Sequence, residues 1–421
     1  MQASCSLQSE LRRPFCDWLS IAGSQHSVGA IVARVYLDNA ATTPISEVAL
    51  QAFIEQSRQI GNASSLHTYG RTVRKDVEEA REKIATLIGS HASEIIFTGS
   101  GTEANNLALK GAYWHRNKDG IARNVVIISR FEHHAVLDPA RWLEDFEGAE
   151  IIEIPVSRDG FVDLSTLEEV VQERNDEIAL ISIMHSNNEV GTLQPIARIA
   201  ELGNSFDIPI HTDAVQSLGK VPISFKELGI FAMTISAHKV GGPIGVGALV
   251  LRKGVDITPI LHGGGQERDI RSGTLNSAGI VAFAAAVQSA VRDLEANAEK
   301  VRSLRAKLIA AIQSEIPDAT LNGVLNGQTL PGIANISFPK TESDSLLLLF
   351  DAEGIACSTG SACSAGVQEA SHVLMAMGLS EKEARSSLRF SLGTSNTDTD
   401  IEYLQTCIKR VIDRARAAYR G

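Results

Sequence analysis

The chain has 421 residues, of which 44% are hydrophobic and 21% charged, and its 39 Lys+Arg against 50 Asp+Glu leave a formal net charge of −11. That length suits two substantial cores, and that composition excludes a disordered chain. The acidic balance argues against non-specific nucleic-acid binding, which needs a positive field, but leaves room for a local basic pocket that takes a small anion. The longest apolar stretches, such as 178–184, are strand-length and far short of the ~20 residues of a membrane span.

Residues 1–34 show no helical period and are expected to be a disordered N-terminal extension. A transit peptide fits them poorly, because Glu10 and Asp17 interrupt the pattern. From residue 36 helices and strands alternate. Helical spacing covers 47–60 and 71–88, and a short strand at 95–97 leads through Thr98-Gly99-Ser100-Gly101-Thr102 into a helix reaching Lys110. Strands are predicted at 125–129, 151–156, 178–185, 208–213, 233–236 and 248–252, with helices at 138–146, 164–173 and 196–206. Strands this apolar imply a mostly parallel sheet buried on both faces, and so an α/β fold. Apolar residues from Ile280 to Ile312 then step by three, four or seven, as in one long helix or two in line. Turn signals at Asn322-Gly323 and Asn326-Gly327 precede apolar runs at 333–338 and 346–350 and a mixed tail. We therefore expect a large domain over 46–290, and a smaller α+β domain over 291–421 with 35–45 packed on it.

Residues with chemical uses cluster just after apolar strands, where open α/β sheets bind ligands. Gly99-Ser100-Gly101-Thr102 opens a helix and offers backbone N–H groups to a phosphate; a plain tight turn capped by Thr102 is the alternative. Lys239 follows a strand, where desolvation and nearby positive charge would lower its pKa and suit it to a Schiff base; a snorkelling strand-end lysine is the alternative. Asp213 at a buried strand end wants a cationic partner such as a protonated pyridine nitrogen, or else is a cap or an internal salt bridge. His133 could stack on a ring or shuttle protons, and Arg389 could grip a carboxylate in a fork; a satisfied core histidine and a structural ion pair are the alternatives. Cys363 sits in the small-residue stretch Ser358-Thr359-Gly360-Ser361-Ala362-Cys363-Ser364-Ala365-Gly366, which suggests an exposed nucleophile, while Cys357 reads as core. The five cysteines, which also include Cys5, Cys16 and Cys407, show no C-x-x-C spacing. No closed zinc site is expected, and free thiols in a reducing compartment are.

Taken together these stretches resemble the cysteine desulfurases of the NifS/IscS type, in the class V aminotransferase group of fold-type I pyridoxal-phosphate enzymes. The resemblance runs from Tyr36-Leu37-Asp38-Asn39-Ala40-Ala41-Thr42-Thr43-Pro44 to about Arg414. It is carried by Thr98-Gly99-Ser100-Gly101-Thr102-Glu103-Ala104-Asn105-Asn106, Glu132-His133-His134-Ala135-Val136 and Met184-His185-Ser186-Asn187-Asn188-Glu189-Val190-Gly191. His211-Thr212-Asp213-Ala214-Val215-Gln216-Ser217, Ser236-Ala237-His238-Lys239, Arg271-Ser272-Gly273-Thr274, the Cys363 stretch and Ser387-Leu388-Arg389-Phe390-Ser391-Leu392-Gly393 complete it.

The resemblance implies a pyridoxal 5'-phosphate enzyme that converts L-cysteine to L-alanine and leaves a persulfide on Cys363. Lys239 would tether the cofactor, Asp213 would pair its ring nitrogen, Gln216 would reach its phenolic oxygen and His133 would stack on it and move protons. Gly101, Thr102, Ser236 and His238 would hold the phosphate, with Thr274 supplied by the neighbouring subunit of a homodimer. Asn187 and Arg389 would bind the substrate carboxylate. The sulfur would pass to an iron–sulfur scaffold protein or another acceptor, including a tRNA-thiolation protein, with Cys363 a candidate iron–sulfur ligand beside that scaffold and no metal site in the chain alone. A cytoplasmic location is expected, with organellar import left open by residues 1–34, and neither direct nucleic-acid binding nor a membrane is expected. Two other readings stay open from the residues: another enzyme on the same scaffold, such as a selenocysteine lyase or a small aminotransferase, and a non-catalytic sulfur-carrier subunit.

Overall fold

The computed structural model describes residues 35–118, 120, 123–360 and 369–419. The expected disordered extension over 1–34 and the candidate nucleophile Cys363 lie outside the described residues. The strands are β1 (Val35–Tyr36), β2 (Ile95–Thr98), β3 (Val125–Ser129), β4 (Glu150–Ile154), β5 (Ile178–Ser182), β6 (Ile210–Asp213), β7 (Ala232–Ser236), β8 (Gly247–Leu251), β9 (Thr320–Asn322), β10 (Ile333–Ser337), β11 (Ile355–Ala356) and β12 (Ser387–Ser391). Around them lie α1 (Glu47–Ser57), α2 (Thr68–Leu87), α3 (Gly101–Asn117), α4 (His134–Glu147), α5 (Leu164–Arg174), α6 (Ile196–Ser205), α7 (Phe225–Leu228), α8 (Ser277–Arg292) and α9 (Leu294–Glu315). Toward the C-terminus come α10 (Ser343–Ala352), α11 (His372–Ala376), α12 (Glu381–Ala384) and α13 (Asp398–Ala418).

The apolar strands form a seven-stranded sheet in the order β2-β8-β7-β6-β5-β3-β4. It is parallel except for β8, which runs antiparallel to both β2 and β7. One face packs against apolar residues of α2, α5, α6 and α8, among them Ile84, Val171, Ile199 and Phe283. The other face packs against α3 and α4 through Leu107, Val136 and Leu143. Covering on both faces is what continuous apolar strands demand.

A separate apolar cluster joins α9, α10, α13, β10 and β12, and includes Val35 and Leu37 from the first described segment. Phe390 is fully buried there, edge-on to Phe338 and Phe350 with ring centroids 6.5 Å and 5.7 Å away. Each such ring contributes roughly 1.5–3 kcal/mol by burial.

Several local expectations change. The long periodic stretch is two helices, α8 and α9, separated at Asp293, whose backbone leaves the helical region at φ −103° and ψ 16°. Helix α4 starts at His134 rather than 138, because the His133 ring accepts from the Ala135 N–H and caps it. Ser100, not Thr102, caps α3 by accepting from the Glu103 N–H at 3.1 Å. The apolar run at 346–350 is helical, inside α10, and the mixed tail contains α13, 21 residues long with an Asp-rich first turn that suits the helix dipole.

Candidate active site

The carboxyl ends of β2, β3, β5, β6 and β7 lie along one edge of the sheet and open into a cleft of about 390 Å³. Gly101, Thr102, His133, Asp213, Gln216, Ser236, His238, Lys239 and Arg389 all line it. Residues up to 138 positions apart, Gly101 to Lys239, thus share one wall, because parallel strands deliver their carboxyl ends to the same side, and Arg389 is added from β12 of the smaller sheet.

The turn between β2 and α3 is pressed close to the sheet. A Cβ on Gly101 would lie 2.9 Å from Val215, and one on Gly247 would lie 2.7 Å from the Ser100 backbone, so both positions need glycine. With Ser100 as the cap, the N-terminus of α3 points at the cleft and suits an anion.

Lys239 follows β7 in a short 3₁₀ turn, and its ammonium donates to the Ala40 carbonyl at 2.7 Å and the Ala41 carbonyl at 2.6 Å. Burial, with the Arg389 charge adding to it, pushes its pKa down to about 8, against the pull of Asp38 and Asp213. An amine so placed is free enough near neutral pH to act as a nucleophile.

Asp213, at the end of β6, is 7% exposed. One oxygen accepts from the Asn105 amide at 2.7 Å and the other from the Val215 N–H at 2.9 Å. Both partners are neutral, so no cation is bonded to this carboxylate and a cationic group entering the cleft would find it uncompensated. Asn105, one turn inside α3, has no role that the sequence pattern marks; its spacing from Gly101 puts it on the same helix face.

His133 is open to the cleft, yet lies deep enough that desolvation, with Lys239 adding to it, lowers its pKa despite Asp213. Its Nδ1 accepts from Ala135, so the neutral ring carries its proton on Nε2. His238 is held near pKa 4 by burial, with Lys239 and Lys220 contributing, and its Nδ1 lies 3.3 Å from the Thr42 hydroxyl.

Arg389, on β12, is 4% exposed. One terminal nitrogen donates to Asp38 at 2.8 Å and the other to the Asn188 carbonyl at 3.0 Å, while its Nε has no partner. Asn187 does not line the cleft. It is fully buried, and its Oδ1 accepts from the backbone N–H groups of Glu189 and Val190 at 2.8 Å and 3.0 Å. Its neighbour Asn188 lines the cleft instead, with Oδ1 buried and unpartnered. The turn after β5 ties the first asparagine to the backbone and leaves the second beside the cleft.

Thr274 is exposed and does not line the cleft. Cys357 directly follows β11 and is buried, as a core residue should be, and burial raises its thiol pKa. Nothing in the sequence pattern flagged Lys220 or His372. Lys220 bonds Gln216 at 3.0 Å, and His372 lines the cleft and bonds the Glu132 carbonyl at 2.9 Å.

An arginine with an unpartnered Nε, an asparagine amide, an aspartate with no cation bonded to it, a low-pKa lysine and a helix N-terminus line one cleft, a set that fits pyridoxal phosphate and an amino-acid carboxylate.

Comparison with known proteins agrees with this geometry. The Aminotransferase class-V family model matches residues 35–404. An "IscS-like cysteine desulfurase" of Mycobacterium tuberculosis is 48% identical over 383 residues, covering 91% of this chain and 97% of that protein. "Cysteine desulfurase IscS" of Dictyoglomus turgidum is 45% identical over 386 residues, covering 91% and 95%. Among solved structures, a "NifS-like protein" superposes with a TM-score of 0.83 at 36% identity, covering 90% of this chain and all of that one. A NifS-like protein from Rickettsia africae superposes with a TM-score of 0.81 at 35% identity, covering 90% and 99%. From its matched length and the identity of these relatives, the chain belongs to the class-V aminotransferase family.

Proposed function

We propose that this protein is a pyridoxal-phosphate-dependent cysteine desulfurase that converts L-cysteine to L-alanine and retains the sulfur as a persulfide on Cys363. The observation that supports this most is the low-pKa Lys239 in one cleft with Asp213, His133 and a partly unpartnered Arg389. The names of the relatives point the same way.

The cofactor, when bound, supplies an electron sink that weakens bonds to the substrate α- and β-carbons. The chain's own residues do the rest. Arg389 Nε and the Asn188 side-chain N–H would donate to the substrate carboxylate, and this gives Asn188 the role first expected of Asn187. Lys239 would tether the cofactor and, when its amine is free, would carry a proton at Nζ. His133 stacks on the ring and gives or takes a proton at Nε2. Asp213 would pair the ring nitrogen, and Gln216 would reach the phenolic oxygen. Gly101, Thr102, Ser236 and His238 take the phosphate, completed by Thr274 of a second copy. The Cys363 thiolate attacks the substrate sulfur: the S–S bond forms, the C–S bond breaks, and its electron pair stays on carbon, which is protonated to give alanine.

A homodimer belongs to this reading. It is supported by the exposed apolar side chains of Ile45, Val48, Ile54, Leu66 and Tyr69, neighbours in sequence that want a cover. So does the division into a large domain (46–290) and a smaller one (35–45 with 291–421), supported by their separate apolar clusters. Sulfur acceptors, an iron–sulfur scaffold among them, would receive the persulfide from Cys363. A cytoplasmic location is part of the reading, supported by the free thiols Cys357 and Cys407. Among the described residues no helix is long and apolar enough to cross a membrane. Mass spectrometry after incubation with L-cysteine tests the proposal: one added sulfur on the Cys363 peptide, with alanine released, is expected. Alanine release that survives Cys363→Ser would overturn the nucleophile.

A further inference from the structure

The turn that follows β6 carries a second lysine beside the cleft. Lys220 is partly buried, and its ammonium donates to Gln216 Oε1 at 3.0 Å. Gln216 Nε2 in turn donates to the Ala40 carbonyl at 2.8 Å, the same oxygen that accepts from Lys239 at 2.7 Å. The chain of contacts therefore runs from Lys220 through Gln216 to the anchor of Lys239.

Hydrogen-bond chemistry sets the sense of this chain. An ammonium has donors only, so the Gln216 oxygen must face Lys220. Its NH₂ group is then the end left for Ala40 and the cleft. Without Lys220 the Gln216 oxygen would lose its donor, and only the Ala40 carbonyl would hold this sense of the amide. The groups whose charges act on Lys220 are both cations, Lys239 and Arg389, and with burial they push its pKa down to about 7. A partly desolvated cation beside other cations costs stability, so packing alone does not account for it.

We propose that Lys220 is a positioning residue for the desulfurase site: by holding Gln216 Oε1 it makes Gln216 present only N–H to the cofactor beside Lys239. This rests on the cofactor reading above. Lys220 itself touches neither substrate nor cofactor in this scheme and acts through Gln216.

The test is an absorbance titration of the bound cofactor in the purified holoenzyme. Lys220→Met should move the titration midpoint upward by about one unit, since losing an oriented N–H and a nearby cation favours the protonated form. Lys220→Arg, which still donates, should stay near wild type. In a Gln216→Leu background Lys220→Met should move the midpoint by less, because the part carried by the oriented amide is already gone and only the charge acts. An unmoved midpoint in a folded, cofactor-loaded Lys220→Met protein overturns the proposal, as does an equal shift in the Gln216→Leu background. If Lys220→Met does not fold, Lys220→Leu is judged by the same two criteria. A wild-type protein with no cofactor band overturns the functional reading itself, and is told apart from the other results by that absence.

Discussion

Two buried arginines occupy opposite regions of the molecule and are treated differently. Arg81, on α2 behind the sheet, donates both terminal nitrogens to Glu267 at 2.7 Å each, adds the Ile95 carbonyl at 2.8 Å, and gives its Nε to Glu78 at 3.0 Å. Its pKa rises because the carboxylates of Glu267 and Glu78 outweigh desolvation. Glu267 is 1% exposed and also accepts from the Phe97 N–H, so the pair ties α2, β2 and the 260s loop together. Arg389, in the cleft, makes one bond to Asp38 and one to a carbonyl, and keeps a buried Nε unpaired. A saturated arginine holds a fold. One left short of partners, at a cost, is available to a ligand.

The comparison can be broken in order of expected effect. Lys239→Ala should remove the yellow colour and all measurable alanine formation; a coloured, active variant would dissolve the distinction between cleft and scaffold. Arg81→Met strands Glu267 in the interior and should cost about 3–5 kcal/mol of stability, read by denaturant melts, with activity per folded molecule retained. Arg389→Lys keeps a charge for Asp38 but loses the fork. It should lower kcat/KM about 100-fold with little change in melting. If these two variants exchanged phenotypes, the contrast would be wrong.

Asn188→Ala should raise KM for L-cysteine about tenfold without loss of stability. Asn187→Ala frees two backbone N–H groups and should destabilise by about 1–3 kcal/mol, visible in urea melts. A further effect is a pH dependence. Glu132 is fully buried, and desolvation pushes its pKa up to about 8, against bonds from Ser129 and Met184. A raised carboxyl pKa favours folding below its unfolded value, and that stability is lost as pH rises toward about 8. Melting temperatures of wild type and Glu132→Gln should therefore be closest in acid and diverge with rising pH, the variant being the more stable; parallel curves would count against it.

The sheet strands were legible because burial on both faces writes itself as unbroken apolar runs, as at Val125–Ser129 and Ile178–Ser182. The antiparallel direction of β8 was not, since an apolar run carries no arrow. Helix α13 was hidden because its apolar positions are interleaved with charges, and only packing on α9 and α10 reveals the stripe.

The site divides the same way. Lys239, Asp213, His133 and Arg389 could be marked from sequence, since a charged residue next to an apolar strand is costly and therefore noticeable. Two adjacent asparagines offer no such contrast, and the turn after β5 alone decides that Asn187 supports the backbone while Asn188 faces the cleft. Lys220 looks like any loop lysine until the fold lays it against Gln216. Residue identity and its place beside apolar runs mark which side chains carry chemistry. Tertiary structure decided which of them kept an unpaired atom, because pairing depends on partners far away along the chain.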